Sequence, residues 1–280
     1  MSEPEHVIPF DELPEGFARN VEVPPQIPVA PRPAATIVLM RDGDEGPEIL
    51  LLRRSHRSGF VPGAWVFPGG RVDRSDAHQA LVDRVDGMTP ERVAQRLDLA
   101  DTDEAMAYLL AALREAFEET GILVAHRADG SHPPAAAESD EVEALRNAVL
   151  EDRMSFAEAL DRLECRIDGE AVAYAAHWIT PEVEPRRYDA RFFAAAVPSD
   201  SEAVVDPREM TDAVWLTPDA ALSRFHAGEL PLVFPTIKTL EQLGEFSSVD
   251  EALHVLEERD VPPIMPRLVI TPEGVGTEVD

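Results

Sequence analysis

The chain has one cysteine, Cys165, and one lysine, Lys238. A single thiol excludes an intrachain disulfide and any multi-cysteine metal site. Cations are scarce altogether: 25 basic residues stand against 54 acidic ones, for a net charge of −29. That balance argues against a long nucleic-acid partner or an anionic membrane surface, because counterion release needs clustered cations. It does not oppose a small anionic substrate reached through a metal ion. Aromatic residues are also few, at 6%. No apolar run reaches the roughly 18 residues that a membrane helix requires. The opening stretch Met1–Gly16 is acidic and carries prolines, unlike a signal peptide, so the expected compartment is the cytoplasm.

What is present is ordinary for a folded domain, with 44% hydrophobic and 28% charged residues. The 25 prolines belong mostly in loops and tails. Residues 1–32 lack sustained periodicity and read as an arm, leaving 33–280 as the domain. Ala35–Met40 and Glu48–Arg54 read as two strands joined by a charged, glycine-bearing turn. Ala64–Gly70 follows and breaks at Phe67-Pro68-Gly69-Gly70. A polar, aspartate-rich segment occupies 71–103. Residues 104–120 form a helix stopped by Gly121. Weaker helices are expected at 141–152 and 156–163, and strand-like runs at 171–179, 191–197 and 213–216. The region 235–280 is expected to be a largely helical extension, with a last apolar run, Ile264–Ile270, as a strand candidate. Strands and helices alternate irregularly, so the class is α/β or α+β with a mixed sheet.

The chemistry concentrates in Arg114-Glu115-Ala116-Phe117-Glu118-Glu119-Thr120-Gly121-Ile122. Positions 115, 118 and 119 are related as i, i+3 and i+4, so three carboxylates share one helix face. Like charges so close oppose helix formation unless they are neutralised. Either water solvates an acidic face, or a hard divalent cation such as Mg²⁺ or Mn²⁺ bridges the oxygens. The apolar run Tyr108–Leu113 anchors the helix in a core, and the Phe67–Gly70 turn offers a nearby backbone carbonyl. Both favour the metal.

These residues resemble the Nudix box, whose pattern is Gly, five residues, Glu, seven residues, then Arg-Glu-U-x-Glu-Glu-x-Gly-U with U aliphatic. Gly70 matches the opening glycine; Arg114, Glu115, Glu118, Glu119, Gly121 and Ile122 match the second half. The segment Arg71–Leu113 between them is much longer than the family spacing. Asp76 or Glu104 therefore stands in for the central glutamate. The split box, together with His177–Pro181 and Pro185–Asp189, is similar to the long-insert coenzyme A diphosphatases of animals and their bacterial relatives, over roughly residues 34–240. Of the coenzyme A signature in shorter bacterial enzymes, Arg54, Gly63 and Phe67–Gly70 agree, while Val61 stands where a histidine belongs.

The resemblance implies a Nudix α/β/α sandwich with a mixed sheet, a helical insertion at 71–103 and a helical C-terminal segment. It implies that Glu115, Glu118, Glu119 and the Gly70 carbonyl bind Mg²⁺ or Mn²⁺, with Arg114 orienting a glutamate. The general base is Glu115 or Glu209. Arg186, Arg187 and Arg191 are candidates for the substrate diphosphate, since guanidinium forks match phosphate oxygens. Arg53, Arg54 and Arg57 form a second cationic group. Trp178 and Tyr188 offer stacking surfaces, although Trp178 reads first as a buried aromatic. His56, His177 and Cys165 read as structural. The expected reaction is cleavage of a nucleoside diphosphate derivative, first coenzyme A or acyl-coenzyme A. Alternatives are ADP-ribose, NADH or another dinucleotide, or a non-catalytic nucleotide sensor. A decapping role conflicts with the charge. The resemblance also allows a homodimer.

Overall fold

A computed structural model describes residues 6–13, 16–56 and 61–279. The arm opens with β1 (His6–Pro9) and α1 (Phe17–Glu22). The core begins with β2 (Arg32–Gly43) and β3 (Gly46–Arg54), an antiparallel hairpin pairing Met40 with Ile49. Its residues alternate between two buried faces: Ile37, Leu39, Leu50 and Leu52 enter one core, and Val38, Met40, Ile49 and Leu51 the other. A strand buried on both sides reads as a continuous apolar run.

Beyond the hairpin the two strands splay. The short strands β4 (Trp65–Val66) and β5 (Gly69–Arg71) fill the wedge, β4 against β3 and β5 against β2. A 3₁₀ turn (Arg74–Ala77), α2 (Gln79–Val82), β6 (Val85–Asp86) and α3 (Pro90–Leu97) then lead to α4 (Thr102–Thr120). Asp101 caps α4 by accepting from the Asp103 and Glu104 amides, and Gly121 ends it at φ 72°. After β7 (Ala125–Arg127), α5 (Asp140–Leu150), α6 (Phe156–Arg162) and β8 (Cys165–Asp168) come β9 (Val172–Ile179), β10 (Tyr188–Ala196) and β11 (Met210–Leu216). The helices α7 (Pro218–His226), α8 (Phe234–Leu243) and α9 (Val249–Glu258) precede β12 (Pro263–Ile264), β13 (Arg267–Ile270) and β14 (Gly274–Glu278).

The principal sheet runs β11-β3-β2-β10-β9-β12, with β10 parallel to β2 and β12 parallel to β9. The long helix α4 covers one face, and α7, α8 and α9 cover the other. This is the mixed-sheet α/β/α sandwich expected. Two smaller sheets, β6-β8-β7 and β1-β14-β13, flank it. Among the described residues no helix is long and apolar enough to cross a membrane.

Two expectations need correction. The C-terminal region is helical only to Glu258; from Pro263 onward it is strand. The arm is not merely extended, because β1 pairs with β14. Cys165 lies just past the C-cap of α6 at the start of β8, and it donates to the Leu163 carbonyl (3.1 Å).

Candidate active site

The C-terminal half of α4 lies against the Gly69–Gly70 turn. The Gly69 amide donates to Glu119 Oε2 at 2.9 Å. At Gly70 a Cβ would collide with the Glu115 carboxyl group, so only glycine lets helix and strand approach this closely. Arg114 stands between the acids. Its Nη1 donates to Glu115 (2.8 Å) and Glu118 (3.2 Å), its Nε to Asp76 (2.8 Å), and its Nη2 to the Arg71 carbonyl (3.0 Å).

Asp76 is 1% exposed and completes a capping box with Asp73 around the 3₁₀ turn. Of the two acids offered for the central box glutamate, Asp76 is the one in contact with Arg114. Glu104 sits exposed in the first turn of α4, far along the helix from Glu115.

Burial sets the electrostatics. Glu115 is pushed up to about 7, chiefly by desolvation, with Arg114 opposing and Glu118 reinforcing. Desolvation also raises Glu118. Glu119 is raised well above the usual range by burial and by the Glu115 charge; the Gly69 amide and Arg54 pull the other way, and Glu209 adds to the rise. Burial alone would weaken the charge on Arg114, but the Asp76 hydrogen bond and the three surrounding carboxylates hold it above its ordinary value. Among the described residues no three acidic, histidine or cysteine side chains form a ready metal cluster. Glu115 and Glu118 are turned onto Arg114, which serves as their counter-ion.

Arg54 and Glu209 both lie within electrostatic reach of Glu119 and act on it in opposite directions. The Glu209 carbonyl accepts from the Ser55 amide (2.8 Å), which holds the loop before β11 beside the end of β3. Arg57 lies outside the described residues. The other three arginine candidates separate. Arg186 is exposed in the turn before β10. Arg187 is buried, donating to the carbonyls of Thr180 (2.9 Å) and Val29 (2.8 Å), so it fastens the arm rather than facing a ligand. Arg191 is 5% exposed, donates to the Leu97 carbonyl (2.6 Å) and Tyr174 hydroxyl (3.2 Å), and lies 4.9 Å from the Tyr108 ring centroid. Its partners are helix, strand and aromatic faces, so the diphosphate expectation does not hold for Arg187 or Arg191. Trp178 is a core residue packed edge-on to Phe234, and His177 pairs with Asp189 at 2.6 Å.

Sequence reasoning missed Arg146. It is 2% exposed, and its Nε donates to the Glu118 carbonyl at 2.8 Å, closing the last turn of α4. The signal was available: within α5 it stands among Val142, Leu145 and Val149, the buried side of the helix.

A family model described as the NUDT19 Nudix domain matches residues 88–243. Acyl-coenzyme A diphosphatase NUDT19 of Xenopus laevis is 27% identical over 233 residues, covering 73% of this chain and 61% of the relative. The Gallus gallus protein of the same name is 30% identical over 240 residues, covering 73% and 63%. The chain thus spans less than two thirds of the length of these curated relatives. A solved NUDIX hydrolase from Alicyclobacillus acidocaldarius is 30% identical with a TM-score of 0.68, the match covering 84% of this chain and 99% of that one. The chain belongs to the Nudix hydrolase family, within the group defined by the NUDT19 Nudix domain.

Proposed function

We propose that the chain hydrolyses the diphosphate linkage of a nucleotide derivative in a divalent-metal-dependent reaction, with coenzyme A or an acyl-coenzyme A as substrate. The observation that carries the reaction class is the set of Glu115, Glu118 and Glu119 on one helix face, packed on Gly69–Gly70 with Arg114 as nearest counter-ion. The substrate follows from the activity named for the curated relatives.

The donor set suits Mg²⁺ or Mn²⁺, being composed of hard oxygens and short of positive charge. Glu115, Glu118, Glu119 and the Gly70 carbonyl would hold the ion. When bound, a divalent cation there neutralises diphosphate charge and lowers the pKa of water. The chain's own residues do the rest. The Gly69 amide fixes Glu119, Asp76 and Arg114 orient Glu115 and Glu118, and Arg146 fixes the turn that carries them. Arg54 supplies a guanidinium for substrate phosphate oxygens. Glu209 takes the proton from the attacking water, because Glu115 is engaged by Arg114 whereas the exposed Glu209 carboxylate forms no hydrogen bond with a described residue.

The test is product release from coenzyme A, acyl-coenzyme A, ADP-ribose and NADH with Mg²⁺ or Mn²⁺, beside Glu119→Gln. Metal-dependent cleavage of coenzyme A compounds, abolished in that variant, is the expected result. Preferential cleavage of ADP-ribose or NADH overturns the substrate, and failure on every compound by folded, metal-loaded protein overturns the reaction. Glu209→Gln is expected to slow turnover while Mn²⁺ affinity persists; an unchanged rate returns the base role to Glu115.

A further inference from the structure

Acids outnumber bases by more than two to one, and most of the described arginines have a carboxylate or carbonyl partner among the described residues, Arg19, Arg53, Arg74, Arg162 and Arg259 being exceptions besides Arg32 and Arg71. Arg41, Arg84, Arg92 and Arg166 all reach acids, and Arg96 reaches backbone carbonyls. Arg32 and Arg71 are exposed, and neither side chain forms a hydrogen bond or ion pair with any described residue.

The sheet register brings these two together. Arg71 lies opposite Ala34 in the antiparallel β2–β5 pair, and Arg32 is two residues before Ala34, so both occupy one face as diagonal neighbours. Such neighbours stand roughly 7–8 Å apart, within reach of long side chains converging on one group. The Arg71 backbone is fixed to the box, its carbonyl accepting from Arg114 (3.0 Å) and its preceding residue, Gly70, lying against Glu115. The Arg32 amide donates to the Arg187 carbonyl (2.9 Å), which brings the exposed Arg186 turn to the same end of the sheet.

Two uncompensated guanidinium groups side by side repel each other, and a doubly charged anion between them reverses the sign of that interaction. We propose that Arg32 and Arg71, with Arg186 beside them, form a subsite for a phosphomonoester that the substrate carries in addition to its diphosphate. The coenzyme A 3′-phosphate belongs to this chemical class. The proposal rests on the coenzyme A reading above and adds to it a reason for preferring 3′-phosphorylated nucleotides. A phosphomonoester carries about −1.5 to −2 charge at neutral pH and accepts forked guanidinium hydrogen bonds. The subsite lies at the end of β5, on the face turned away from Glu115. A ligand with its diphosphate at Gly70 therefore passes round the strand end to reach it.

The experiment compares kcat/KM for coenzyme A and 3′-dephospho-coenzyme A in the wild type and in the Arg32→Ala/Arg71→Ala double variant. The wild type is expected to favour coenzyme A by at least about tenfold, and the double variant to reduce that ratio towards one, the loss falling on KM. Arg71→Lys, which keeps the charge but not the fork, is expected to retain an intermediate ratio. Equal turnover of both compounds by the wild type, or an unchanged ratio in the double variant, overturns the subsite. Calorimetric affinities for adenosine 3′,5′-bisphosphate and adenosine 5′-monophosphate give the same comparison without turnover. If neither coenzyme A compound is cleaved, the substrate reading fails on its own, while equal affinities for the two nucleotides sink the subsite separately.

Discussion

The two halves of α4 each meet an arginine, and they satisfy it in opposite ways. On the C-terminal half, Arg114 faces Asp76, Glu115 and Glu118, with buried Glu119 alongside. Arg114, with Arg54 and Arg146 nearby, is outnumbered by these carboxylates and Glu209, so this end of the helix retains a demand for positive charge. On the N-terminal half, Arg191 lies over Tyr108 and bonds to a carbonyl and a phenol. Asp189, its electrostatic neighbour, is already taken by His177. Desolvation and that carboxylate push Tyr108 up to about 12, while Arg191 opposes the shift. The first cluster is unbalanced and open to a ligand; the second is closed and holds the insertion to the sheet. An arginine's meaning therefore depends on the charge left over around it.

The largest effect is expected from Glu119→Gln, which should cut turnover by several kcal/mol of barrier, on the order of a thousandfold, with the fold intact. A rate within tenfold of wild type would erase the distinction between the two halves. Next, Arg191→Met should cost about 1–3 kcal/mol of stability, because it leaves the Leu97 carbonyl and Tyr174 hydroxyl without their donor, while turnover per folded molecule stays unchanged. Denaturant unfolding together with active-site titration measures both. Asp76→Asn, which weakens the grip on Arg114, should lower Mn²⁺ affinity about 10–100-fold, read by calorimetry.

The smallest effect concerns pH. Between the ordinary glutamate value of 4.5 and about 7, folded metal-free protein keeps a proton on Glu115 that the unfolded chain has released. Stability in chelator should therefore fall as pH rises through that window, and saturating Mn²⁺ should flatten the slope. A metal-free melting temperature that climbs from pH 5 to 7 would contradict the sign.

The unbalanced half was the legible one. Carboxylates at i, i+3 and i+4 keep their meaning in any helical context, and Asp76 could be flagged by its distance from Gly70 although its burial could not. The balanced half was opaque because β10 is covered on both faces: Arg191 alternates with Phe192 and Phe193 in a strand where neither parity marks solvent. The flanking sheets left less trace still. β6 has two residues, and its pairing of Val85 with Ile167 is far too distant in sequence to show as periodicity. β14 reads Gly-Val-Gly-Thr-Glu, a composition that suggests a turn.

The insertion at 71–103 is tied down at several points. Arg92 meets Glu257 (2.8 Å), Arg96 reaches the Leu256 and Arg259 carbonyls (2.8 and 2.9 Å), Arg84 meets Asp161, and Arg191 holds Leu97 (2.6 Å). This segment belongs to the body of the domain.

The parallel pairing of β2 with β10 also has a consequence in time. Thr36 waits for Phe192, so on a ribosome adding about 5–20 residues per second the β2 edge stays without its partner for roughly ten seconds or more. Throughout that interval a nascent hairpin exposes a row of unmatched amides beside Ile37, Val38 and Leu39, the kind of edge that recruits other chains. Arg32 and Pro33 at one end and Arg41 and Asp42 at the other bracket this run, placing charge and a missing N–H where they discourage premature pairing.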